Sequence, residues 1–192
     1  MAHRVTAPAM QRAQRLLSQR IRPHVLSSEV AMSVEAIDEA FDAPSHAEAV
    51  RAPRRPVVPG TPWGRPWHTT WFRLSHVVDE RHAGRPLVAS IDIGFNGRYD
   101  GFQAEAIAWM DGRIVRAVQP DRRLVDLGER SIGDVIEIWI EAAATPVIAG
   151  HASGYGPTPL GDPATAPNVP LYVLRPGDDG DLPGQRNDPC CG

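Results

Sequence analysis

Three segments of this chain alternate apolar and polar residues with a period of two, and that period constrains the fold more tightly than any other feature. Leu87, Ala89, Ile91, Ile93 and Phe95 alternate with Val88, Ser90, Asp92 and Gly94. Phe102, Ala104, Ala106 and Ala108 repeat the pattern, and Ile136, Ile138 and Ile140 alternate with Glu137, Trp139 and Glu141. Successive side chains of a strand point to opposite faces, so each segment reads as a strand with one buried side. The second runs into Asp111-Gly112, a pair suited to a two-residue hairpin turn. Several short strands separated by turn signals predict a mainly β fold, a β-sandwich. A chain of 192 residues is long enough for one such domain with appendages.

The flanks differ. Met10, Ala13, Leu17 and Ile21 recur at helical spacing while Arg12, Arg15, Gln19 and Arg22 fall elsewhere, which predicts an amphipathic helix entered through Pro8 and stopped before Pro23. Val30, Met32, Val34 and Ala36 alternate as a first strand, and Ser45-His46-Ala47-Glu48 has the pattern of a capping box. Prolines 53, 56, 59, 62 and 66 remove donors that a helix or central strand needs, so 51–66 reads as an extended surface connector. Beyond Pro146 the chain is too rich in proline for a sheet yet keeps apolar residues, and the last residues, 176–192, have the composition of a disordered tail. The predicted organisation is 1–50, helix and first strand packed on the sandwich; 51–66, connector; 67–146, sandwich core; 147–175, extended segment; 176–192, tail.

The stretch PWHTTWFRL, Pro66 to Leu74, concentrates aromatic residues, as a sugar-binding platform or a core strand would. Trp67 and Trp71 share one strand parity, Phe72 and Leu74 the other. Bulky groups on both faces predict a strand buried on both sides, between the sandwich interior and the N-terminal helix.

Composition excludes several chemistries. All 20 basic residues are arginine, so neither a Schiff-base lysine nor a P-loop lysine exists. A net charge of -3 without a basic cluster argues against nucleic-acid binding. No run approaches the roughly 20 apolar residues of a membrane helix, and the N-terminal arginines precede no apolar segment, which predicts a cytoplasmic protein. Cys190 and Cys191 are adjacent and lack the spacing of a zinc pair.

The remaining chemistry is sugar chemistry. Trp63, Trp67, Trp71, Phe72 and Trp109, with Asp92, Asp100 and Glu105, are the residue types that stack on sugars and hydrolyse glycosides. The competing reading is that these aromatics are core, since each buries a large area. His76 and His82 flank a turn with Asp79 and Glu80, read as a solvated charged turn ahead of a metal site. Ser153 in GHASGYG lacks the nucleophile-elbow pattern, and GYGP has no helix behind it to cradle a phosphate.

GTPWGRPWHTTWFRL, DIGFNGRYDGFQAEAIAWMDGRIVRAV, EAAATP and PTPLGDPATAPNVPLYVLR, in that order, resemble the N-terminal region of bacterial class II α-mannosidases of glycoside hydrolase family 38. The likeness runs from the first helix to about Arg175. It implies a jelly-roll-like β-sandwich that precedes a catalytic domain, and PWHTTWFRL as one of its structural strands. It also implies a zinc-dependent, retaining α-mannosidase whose zinc and aspartate nucleophile belong to that catalytic domain. No H-x-D motif of the kind that opens the catalytic region occurs here, so no catalytic, cofactor-binding or metal residue is carried over. His68 stands where the pattern has a glycine, and the likeness ends after LYVLR.

The expectation is a truncated N-terminal module, inactive alone, whose partner is the α-mannosidase catalytic domain. An apolar docking patch is expected around 157–174, and a frameshift near Arg175 or Pro176 would explain the abrupt end of the likeness. The alternative is a stand-alone carbohydrate-binding module touching mannosides through Trp67, Trp71 and Asp100. Burial of Trp67 and Trp71 favours the first; exposed coplanar rings favour the second.

Overall fold

In the computed structural model, residues 6–21, 29–95, 103–146 and 172–174 are described. The chain divides into two units, Met1–Ala31 and Met32–Gly192. In the first, α1 spans Thr6–Leu16 and continues as a π-helical turn over Leu17–Ile21, with Met10, Leu16, Leu17 and Ile21 exposed. Pro8 sits in the first turn, where its missing N–H costs nothing.

The described residues of the second unit form ten strands: β1 (Ser33–Ala36), β2 (Arg55–Val57), β3 (Pro62–Trp63), β4 (Thr69–Val77), β5 (Pro86–Ser90), β6 (Glu105–Met110), β7 (Arg113–Val118), β8 (Leu124–Glu129), β9 (Val135–Ala143) and β10 (Tyr172–Val173). Six form one sheet in the order β2-β1-β4-β9-β6-β7, and the pairs β5-β8 and β10-β3 form two-stranded sheets. All recorded pairings are antiparallel.

The period-two segments do what alternation requires. Ile136, Ile138 and Ile140 of β9, Ala106 and Ala108 of β6 and Phe72 of β4 share one core with Ala89 of β5, Val125 and Leu127 of β8, and Ile91, Ile93 and Phe95, so the six-stranded sheet and the β5-β8 pair enclose a common interior. Ladder pairing stops at Ser90, yet the alternate burial of Ile91, Ile93 and Phe95 continues. Asp92 holds this departing segment. Its carboxylate accepts from the Gly94 and Phe95 N–H groups and from Arg123 Nη1 at 2.8 Å, while the Arg123 guanidinium lies 5.2 Å over the Phe95 ring. The Asp111-Gly112 hairpin joins β6 to β7 with φ of 51° and 73°, the left-handed pair such a turn needs.

Three expectations change. The first is the connector, 51–66, which contributes β2 and β3 and buries Val57 and Trp63. Proline is compatible with these strands because β2 is an edge and β3 has one described partner. The second is Trp67, which does not lie in register with Trp71: the strand begins at Thr69, and Trp67 occupies a corner at φ 66°. The third is the cover over β4, whose second buried face meets the 37–52 segment, through Ile37, Ala49 and Ala52. Of the predicted docking stretch 157–174 only 172–174 are described. There β10 pairs with β3, Leu174 is buried, and its backbone bonds Gly60 and Thr61. The predicted tail lies outside the described residues.

Candidate functional site

Of the aromatic residues singled out for chemistry, Trp63 and Phe72 lie in the inner core, whereas Trp71 and Trp109 reach the outer face of the six-stranded sheet. Alternation sends Trp71 and Arg73 of β4, Glu137, Trp139 and Glu141 of β9, and Trp109 of β6 to this side, with Trp109 opposite Trp139 and Trp71 opposite Glu141 in the register. Over them lies α2, the single helical turn His46–Ala49. So short a helix cannot persist by its own hydrogen bonds. The Ser45–Glu48 capping box closes its N-terminus and the fully buried Ala49 seats it on the sheet.

His46 stacks on Trp109, ring centroids 5.0 Å apart and 15° from parallel, and meets Trp71 and Trp139 edge-on at 5.7 and 6.0 Å. The Arg54 guanidinium lies 5.5 Å over the Trp139 ring. Each of these three indole N–H groups is committed. Trp71 donates to the Pro44 carbonyl at 3.1 Å, Trp109 to Glu141 Oε2 at 3.1 Å and Trp139 to Glu137 Oε1 at 2.8 Å.

Beside the tryptophans runs an ion-pair chain. Arg73 Nη1 donates to Glu35 Oε2 at 2.7 Å, and its Nε and Nη2 donate to Glu137 Oε2 at 2.8 and 2.6 Å. The hydrogen bond from Arg73 holds the Glu35 carboxyl below its ordinary value. Burial pushes Glu137 upward, but the Trp139 indole and Arg73 outweigh it and hold this carboxyl low as well. Both therefore stay anionic at neutral pH, already engaged by a cation.

The predicted sugar contacts separate. Trp71 is 1% exposed; Trp67 is half-buried in the corner before β4; Asp100 lies outside the described residues. At the corner the Trp67 N–H donates to the Ala144 carbonyl, and His68 accepts from the Ala144 N–H through its own carbonyl. The left-handed backbone falls on Trp67 and not on His68, so the histidine at the family's glycine position carries no positive φ. Of the acidic residues, Asp92 is bound to Arg123 and Glu105 lies half-buried at the start of β6.

The described residues contain no group of three or more His, Cys, Asp or Glu arranged to hold a metal. The β4–β5 turn does bring His76 and His82 together, ring centroids 6.2 Å apart, with His82 Nδ1 2.7 Å from Asp79 Oδ1. Asp79 also accepts from Arg81, whose hydrogen bond is the main cause holding its pKa at about 2 against an ordinary 3.8.

Residues 29–172 match the family model described as the jelly roll domain of α-mannosidase, a range that runs from just before β1 to the first residue of β10. The chain belongs to this α-mannosidase jelly-roll family. No curated protein matches it at significance. The jelly-roll match takes in β1 to β9 whole and all the residues of both buried clusters except Leu174. No described helix is long and apolar enough to cross a membrane.

Two features of the jelly-roll domain escape sequence reasoning. Pairing of Arg73 with Glu35 and Glu137, and of Asp92 with Arg123, depends on strand order, which no local pattern encodes. His46 carries a local signal, the capping box, but nothing in its neighbourhood announces that its ring will meet three distant tryptophans.

Proposed function

We propose that this chain is the non-catalytic N-terminal module of a cytoplasmic α-mannosidase of glycoside hydrolase family 38, without hydrolytic activity of its own and serving as a packing partner for the catalytic domain. The observation that carries the reading is the commitment of the outer-face tryptophans to protein. Trp71 is buried, its N–H is bound to Pro44, and the faces of Trp109 and Trp139 are met by His46 and Arg54. A sugar platform instead needs an open aromatic face with polar groups beside it left to bond hydroxyls. The zinc that the resemblance implies is assigned to the catalytic domain, because the same resemblance places its histidine and aspartate ligands there.

The test is hydrolysis of a chromogenic α-mannoside by the purified 192-residue chain with Zn²⁺ supplied. The expected rate is that of buffer alone, together with retention of the chain on an immobilised family 38 catalytic domain. Hydrolysis by the chain overturns the reading.

A second reading, a carbohydrate-binding module, rests on Trp67, a half-buried residue whose backbone stands at φ 66°. Bulky residues rarely hold that conformation, at a cost on the order of 1–3 kcal/mol, and such strain collects at ligand sites. Mannose-dependent quenching of tryptophan fluorescence that disappears in Trp67→Ala would favour it.

A further inference from the structure

From Pro8 to Ile21 every residue is exposed except the half-buried Ser18, and Met10, Leu16, Leu17 and Ile21 are between 44% and 62% exposed. The 11 residues of α1 fall short of the roughly 12–15 at which an isolated helix becomes even marginal in water. No acidic residue in its first turn complements the helix dipole. Such a helix persists by burying an apolar stripe against a partner. The cover over β4 comes from the 37–52 segment, and the jelly-roll match begins at residue 29, past the helix. The stripe is thus left for a partner beyond the jelly roll.

Spacing and charge restrict that partner. Met10, Ala13 and Leu17 stand three and four residues apart on one side of the helix. Arg12, Leu16 and Arg20, each four apart, run along one margin of this stripe, whereas Arg15 falls on the opposite face. Before Glu29 the chain carries Arg4, Arg12, Arg15, Arg20 and Arg22 and neither aspartate nor glutamate, so the net charge of -3 is +5 over residues 1–28 balanced by -8 over the rest. Two such helices repel each other, and the favoured occupant is anionic.

An anionic bilayer and an acidic protein groove both meet that condition. Residues 1–28 contain no Trp, Tyr or Phe, the side chains that seat interfacial helices in a bilayer, while Met, Leu and Ile at helical spacing are what a hydrophobic groove accepts. From the exposed stripe and the acid-free charge we infer that α1 and its π-helical turn dock into an apolar groove of the catalytic domain, with carboxylates on the groove's rim meeting Arg12 and Arg20. Arginine suits such a rim because its fork bonds a carboxylate through two N–H groups. The inference rests on the reading of the chain as an α-mannosidase module and names the surface through which that module packs.

The test uses the full 192-residue chain and the immobilised catalytic domain, with amide hydrogen exchange of the free and bound chain. On binding, the amides of 6–21 are expected to slow by about tenfold or more, while those of β9, already inside the sheet, keep their rates. Leu17→Ser with Ile21→Ser weakens retention by about tenfold, and so does Arg12→Gln with Arg20→Gln, which also flattens its salt dependence. Arg15→Gln leaves retention unchanged. None of these positions lies in the jelly-roll match or its buried clusters, so the tryptophan emission of the sandwich serves as the folding control. Equal retention of the wild-type chain and both double variants, or slowed exchange in the sandwich with none over 6–21, overturns the inference and leaves the module reading in place. A wild-type chain that is not retained removes the module reading and the inference with it. Slowed exchange over 6–21 on vesicles of equimolar phosphatidylglycerol and phosphatidylcholine, without any on the catalytic domain, overturns it in favour of a lipid surface. A dimer in sedimentation that is lost in the Leu17→Ser, Ile21→Ser chain, without slowed exchange on the catalytic domain, overturns it in favour of a second copy.

Discussion

His46 and Trp109, more than sixty residues apart in sequence, lie ring on ring at 5.0 Å with their planes 15° apart, so that a single helical turn roofs the outer aromatic cluster of the sheet. Replacing His46 by Ala removes this contact and two edge-on contacts while leaving the capping box in place. The expected loss is about 1 kcal/mol in denaturant unfolding, with a red shift of tryptophan emission as the Trp109 ring is wetted. An unshifted spectrum would show that α2 stays closed without the imidazole.

Asp92→Asn leaves the Arg123 guanidinium half-compensated beneath the Phe95 ring. Asp92 and Arg123 have side-chain exposures of 6% and 16%, low enough that removing one charge costs about 3–5 kcal/mol. Because the same carboxylate gathers the Gly94 and Phe95 N–H groups, hydrogen exchange of those two amides should rise more than that of the β9 amides. Equal protection in both proteins would remove the carboxylate from that role.

Asp79 supplies an acid-side signature. Its folded pKa, about 2, lies below its ordinary 3.8, so its stabilisation is complete above the ordinary value and is lost as pH falls through that interval towards about 2. Asp79→Asn should lower stability at neutral pH and flatten this part of the stability profile. Parallel profiles for the two proteins would contradict the pairing with Arg81.

Gly112 has open space where a Cβ would point and a φ of 73°. The penalty of Gly112→Ala is therefore conformational rather than steric, about 1–2 kcal/mol, and should appear in thermal unfolding without any change in the core. A neutral substitution would mean that the hairpin relaxes to a different turn.

Much of the sandwich could be read from the chain because strand alternation is a local property: Ile136 to Glu141 announce β9, and Asp111-Gly112 the β6–β7 hairpin. Ser45 and Glu48 likewise close the capping box their spacing predicts. The prolines of 51–66 concealed β2 and β3, since a proline-bearing edge strand has the composition of a surface segment. In β8 only Val125 and Leu127 are buried, and the exposed Gly128 at φ 66° breaks the pattern after them. Trp67 misled for a related reason: its chemistry suits a strand, and only the three-dimensional corner shows it in a turn. The outer face was the least legible part, because contacts that close it, such as His46 on Trp109 and Arg73 with Glu35 and Glu137, join residues far apart in the chain.

The longest ladder of the sheet pairs 69–77 with 135–143, while β5, β6, β7 and β8 lie in the chain between them. Nascent β4, with Trp71 on one side and Phe72 on the other, must wait for more than fifty residues to be made before its central partner exists. Loop closure of that length has to be completed before the pairing rewards it, so the folding rate is set by topology and is slow for a domain of this size. Until β9 arrives, β4 offers an unpaired edge with apolar residues on both faces, the form of surface most open to pairing with a neighbouring chain. The adjacent β1 covers its other edge early, being only about thirty residues upstream and already made. Aggregation during synthesis should therefore track the delay between β4 and β9, and a pause in translation between them would worsen it.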